Sequence, residues 1–72
     1  MNLSKIIIND IEFDMVTKSK MKSKNFKYNI LLLYSDDGTW FAEAKVDKDY
    51  LGFGKTPESA LNSLFEYKIF KE

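Results

Sequence analysis

Seventy-two residues with eleven lysines, eleven acids and no arginine, histidine or cysteine make one small domain of zero formal net charge. Without cysteine or histidine there is no disulfide or zinc staple, no thiol nucleophile and no imidazole base. The charge balance and the lack of arginine, the bidentate reader of phosphate and guanine, argue against a dedicated nucleic-acid binder.

So short a chain buries a modest core. Aromatic residues, 15% of the total, can fill it densely, and association into a homodimer is the other source of stability. The start Met1-Asn2-Leu3-Ser4-Lys5 lacks a signal-peptide core, and no apolar run reaches membrane-spanning length. The expectation is a cytoplasmic protein with no membrane segment.

Residues 1–16 predict an N-terminal β-hairpin. Leu3 to Ile8 is apolar and β-branched, and Ile11 to Val16 alternates. Asn9 and Asp10 both tolerate the left-handed backbone of a two-residue turn. That loop sets Ile8 opposite Ile11 and Ile6 opposite Phe13 on one apolar face. It also sets Ile7 opposite Glu12 and Lys5 opposite Asp14 on the wet face.

Residues 17–25 place a lysine at every second position from Lys18 to Lys24. Like charges this close repel, which predicts a mobile, solvated loop. Lys18, Lys20, Lys22 and Lys24 are candidates for docking on an acidic protein surface. They could also track a phosphate backbone, the basis of a weak nucleic-acid-binding alternative.

Phe26 to Tyr34 reads as the strongest strand. Leu31 and Leu33 make its second half apolar on both sides. Ser35-Asp36-Asp37-Gly38 is a turn, and Thr39 to Val46 is the next strand, with Trp40, Ala42, Ala44 and Val46 on one face and Phe41 on the other. Two alanines on that face permit close approach of a helix. Asp47-Lys48-Asp49 turns the chain into a short strand from Tyr50 that ends at Gly54.

Thr56 and Pro57 open a helix as N-cap and first residue. Ala60, Leu61, Leu64, Phe65 and Tyr67 form its apolar side. Beyond Tyr67 the pattern fails, since Ile69 and Phe70 fall on the polar side. Either the helix stops there or these two residues meet a partner. Ile69 and Phe70 therefore join Phe41 and the lysines as candidate partner contacts.

The segment 28–67 resembles the HicB family of bacterial antitoxins. The resemblance rests on the tyrosine-led strand from Tyr28, the Asp36-Asp37-Gly38 turn, the aromatic-led strand Trp40-Phe41-Ala42-Glu43, Gly54, and Thr56-Pro57-Glu58-Ser59-Ala60-Leu61 at the helix start. It implies a β-β-β-α partial ribonuclease-H-like unit without that enzyme's catalytic carboxylates. It also implies a protein that neutralises a small HicA-type ribonuclease by occluding it. The family's proline-rich run is replaced here by Lys45-Val46-Asp47-Lys48-Asp49, and residues 1–25 lie outside the family pattern.

The sequence thus predicts one α+β domain: an N-terminal β-hairpin, then an antiparallel β-meander over 26–67 with one C-terminal helix packed on one face. No cofactor or metal motif is present, and the acidic groups lie in turns or on the wet face. The expected function is non-enzymatic protein binding, with a small phage or mobile-element inhibitor of a host nuclease or defence complex as the alternative.

Overall fold

In the computed structural model, which describes residues 5–71, Asn9 (φ 53°) and Asp10 (φ 65°) form the tight turn of the first hairpin. Its strands are β1 (Lys5–Ile8) and β2 (Ile11–Thr17), and the register is the expected one: Ile8 pairs with Ile11, Ile6 with Phe13, Ile7 with Glu12 and Lys5 with Asp14. Lys5 forms its ion pair diagonally, with Glu12 at 3.0 Å. The part of the predicted strand before Lys5 lies outside the described residues.

The lysine segment is a strand, not a loop. Only Lys18 and Ser19 turn the chain, and β3 (Lys20–Lys24) pairs with β2 on one side and with β4 (Ile30–Tyr34) on the other. Its alternation places Met21 and Ser23 inward, both buried, and sends Lys20, Lys22 and Lys24 to the opposite face. Repulsion along the strand is offset by Glu12 and Asp14, which face Lys24 and Lys22 across β2. Val16 falls at a register shift between Met15 and Thr17.

The predicted strand from Phe26 begins only at Ile30. Asn25 turns left-handed (φ 58°), and the buried Ser23 hydroxyl closes the connection. Its oxygen accepts from the Ile30 N–H at 2.9 Å and its hydroxyl donates to the Tyr28 carbonyl at 3.0 Å. Past β4, Gly38 (φ 88°) completes a turn in which Asp37 accepts from the Thr39 N–H at 3.0 Å and from the Ser35 hydroxyl. Strands β5 (Trp40–Lys45) and β6 (Asp49–Gly54) follow.

Among the described residues, all six strands lie in one antiparallel sheet in chain order. One helix, α1 (Pro57–Leu64), packs over β5 and β6, giving the α+β architecture expected. Thr56 caps it, in a reciprocal box with Ser59. The helix lies close to the sheet because Ala42, Ala44 and Gly52 present almost no side chain beneath it. A Cβ on Gly52 would sit 2.3 Å from the Leu64 backbone nitrogen.

Between helix and sheet, Phe13, Ile30, Leu32, Leu61 and Leu64 are fully buried, with Ile8, Ile11, Met21 and Tyr50 around them. At the hairpin turn, the Asn9 side chain donates to Asn62 on the helix at 3.2 Å. Among the described residues, no helix is long and apolar enough to cross a membrane.

Candidate partner-binding face

Every second residue of the sheet points away from α1, and among the described residues no element covers that second face. The N-terminal hairpin could have folded over it. Instead it adds β1 and β2 edge-on, because Ile8, Ile11 and Phe13 are drawn into the core beneath the helix.

The register arranges the open face in rows. One runs Lys20, Leu33, Phe41, Phe53 across β3 to β6, and the next runs Lys22, Leu31, Glu43, Leu51. Leu31, Leu33, Phe41, Phe53 and Leu51 form an apolar patch that runs around Glu43, with lysines along its β3 side. Phe41 and Phe53 pack edge to face with ring centroids 6.1 Å apart. Phe53 is 60% exposed and Leu51 46% exposed, values far from those of a filled core. Between the lysines and Glu43 runs a shallow groove of about 620 Å³, lined by Val16, Lys20, Lys22, Leu31, Glu43 and Lys45 among others.

The charges on this face alternate in sign. Lys24 lies 4.0 Å from Asp14, and Lys45 lies 3.8 Å from Asp49. Lys20, Lys22 and Glu43 form no ion pair among the described residues. Their charges are therefore free to meet another surface.

The structure thus brings Lys20, Lys22, Lys24 and Phe41 onto one face, and Lys18 lies exposed in the turn at its margin. Ile69 and Phe70 lie elsewhere. The helix ends at Leu64, and a 3-10 turn (Lys68–Lys71) folds both residues back onto the core. Phe70 meets Tyr28 at 5.0 Å, Tyr50 at 5.5 Å and Phe65 at 5.7 Å between ring centroids. These apolar residues have a partner within the chain, which explains why they break the helical pattern.

Leu51 and Phe53 belong to the open face although no motif marked them. Their signal was the alternation of β6, where inward Tyr50 and Gly52 force both outward. The free edge of β6 is partly closed by the Tyr67 hydroxyl, which donates to the Leu51 carbonyl at 3.2 Å.

The perturbed ionisable groups sit in two turns and at the start of β6. The Ser35 hydroxyl and then the Thr39 backbone N–H hold the Asp37 carboxyl below its ordinary range. The Tyr50 hydroxyl, 2.7 Å away, does the same for Asp47, and that bond raises Tyr50 in return. Among the described residues, no group of acids gathers to hold a metal ion. Comparisons with family models, curated proteins and solved structures find no match for this chain.

Proposed function

We propose that this chain is a protein-binding module of the HicB antitoxin type, which neutralises a small ribonuclease by covering it and catalyses nothing itself. The observation that carries this reading is the open face, where Leu31, Leu33, Phe41, Leu51 and Phe53 form one apolar patch beside Lys20 and Lys22. An exposed apolar patch with a charged margin is the usual mark of a protein contact. The lysines suit an acidic region on the partner and speed encounter with it.

The alternation of Lys5, Lys22 and Lys24 with Glu12 and Asp14 interrupts the positive track that a nucleic-acid backbone needs. This favours a protein partner over RNA or DNA. The resemblance over 28–67 supplies the class of partner, and the order β4-β5-β6-α1 accords with its β-β-β-α unit.

The test is co-expression with a HicA-type ribonuclease encoded beside this chain in its own genome. Wild-type protein should relieve growth arrest and, at equimolar ratio, suppress RNA cleavage by the purified enzyme. Leu33→Asp, folded but with a charge in the patch, should do neither. Cleavage that continues under an excess of folded wild-type protein overturns the antitoxin reading. Phage genes in place of a toxin gene shift it to an inhibitor of a host nuclease.

A further inference from the structure

We propose that in the free protein a second copy of the chain covers the open face, in a two-fold dimer whose axis runs along β4. The argument lies in the charge order of the rows. Lys22, Leu31 and Glu43 are consecutive cross-strand neighbours, so unlike charges stand one strand to either side of Leu31. Adjacent strands are about 4.8 Å apart, so β3 and β5 flank β4 at nearly equal distances. When two such faces stack about β4, β3 of each copy lies over β5 of the other.

In that arrangement Leu31 and Leu33 meet their own counterparts at the centre. Lys22 meets Glu43 of the second copy, and this contact occurs twice by symmetry. Neither side chain has an ion pair within its own chain among the described residues. In the adjoining row, Lys20 lies over the Phe41 ring of the second copy, a cation–π arrangement. Sheet twist sets a crossing of about 30°, shared equally about the axis, which leaves the central rows opposed.

The neighbouring placement fails at its centre. With the axis between β4 and β5, Leu31 lies against Glu43 and Lys22 against Leu51, so charges are buried on apolar side chains. About β4 the like-charge encounters are Lys24 with Lys45 and Glu12 with Asp49, both in the row at the rim, where Lys5 accompanies Glu12, Asp14 accompanies Lys24, and Lys45 and Asp49 accompany each other. Asp14, on β2, then lies over Leu51 at the outer edge of the overlap rather than at its centre, and Lys5 lies on β1, beyond the overlap. The overlapping faces of β2 to β6 have a flat projection of roughly 400 Å². Side-chain relief enlarges this toward the roughly 800 Å² per partner of a stable interface.

The dimer uses the face assigned above to the ribonuclease but does not depend on that reading. If both hold, the ribonuclease displaces the second copy. Sedimentation equilibrium at tens of micromolar should show a wild-type dimer. Lys22→Glu and Glu43→Lys should each weaken it roughly 100-fold or more, since like charges then face each other twice. An equimolar mixture of the two variants should form a heterodimer, because each glutamate then meets a lysine. The Lys22→Glu/Glu43→Lys double variant should dimerise again. Circular dichroism melting should confirm that every variant folds. A monomeric wild type, a dimer indifferent to both single changes, or a mixture that stays monomeric overturns the proposal. A dimer that forms while the ribonuclease stays active overturns the antitoxin reading alone.

Discussion

Gly52→Ala should destabilise the domain by about 2 kcal/mol, although it adds a single methyl group. That carbon would lie 2.3 Å from the Leu64 nitrogen, 2.6 Å from the Ala60 carbonyl oxygen and 2.8 Å from the Leu64 Cα. All three are backbone atoms, so no rotamer change relieves the contact. Restoring an ordinary separation requires α1 to rise by about 1 Å, which forfeits a quarter to a half of the dispersion contact beneath it. Leu61 and Leu64 are fully buried there. Each contributes about 1.5–3 kcal/mol by burial, so the lost share is about 1–3 kcal/mol for the pair. The reduced entropy of the unfolded alanine chain returns about 0.4–1 kcal/mol. Beyond the contact loss, strain left in the capped helix adds to the cost. In a domain of this size the net effect lowers Tm by about 8–16 °C. Thermal melting by circular dichroism, with urea unfolding alongside, measures it. A Tm within about 2 °C of wild type would refute the close-approach argument, because the helix would then sit higher than described.

Phe13→Ala should cost about 3–5 kcal/mol, enough to leave much of the chain unfolded at 37 °C; Phe13→Leu, measured by urea titration, should cost much less. Phe70→Ala should lower Tm while leaving partner affinity of the folded fraction unchanged, whereas a loss of affinity at unchanged Tm would return Phe70 to the contact surface. Replacing Lys18, Lys20, Lys22 and Lys24 by serine should slow partner association and flatten its salt dependence in stopped-flow measurements, with only a small shift in melting. The Asp47–Tyr50 bond gives two pH limits. The lowered Asp47 carboxyl stabilises the fold above the ordinary aspartate range, and that contribution fades as pH falls below about 3.8. Tyr50, raised above 10.0, stabilises the fold below that pH, and its contribution fades as pH climbs through the raised value. Tyr50→Phe should remove the alkaline limit and shrink the acid one in melts taken across pH.

The first hairpin was legible to the residue because two constraints agreed: a turn pair that tolerates positive φ, and a register that sorts apolar from charged side chains on both faces. Thr56, Pro57 and the alanines of β5 announced the helix start and its close approach. The lysine segment is not legible as a strand, because its charge repulsion is local whereas the pairing that offsets it is not. Lys20-Met21-Lys22-Ser23-Lys24 carries the period of a strand, but the acids that face Lys22 and Lys24 come from β2, which the local sequence does not show. The start of β4 is not legible because the alternation continues back through Tyr28 and Phe26, whereas the chain there is held by Asn25 and the Ser23 hydroxyl. Within the candidate site, Phe41 and the lysines could be named from sequence. That they share a face could not, because it depends on β3 joining the sheet.

Strand order equal to chain order has a consequence for synthesis. Each strand leaving the ribosome finds its only upstream neighbour already made, so the sheet can grow by successive local pairings with short loops to close. The helix comes after all six strands. Until it emerges, the nascent sheet is bare on both sides, with Phe13, Ile30 and Leu32 as exposed as Leu33 and Phe41. Emergence of the helix therefore decides which side becomes interior, and a pause before Pro57 would prolong the interval in which neighbouring nascent chains can stick together.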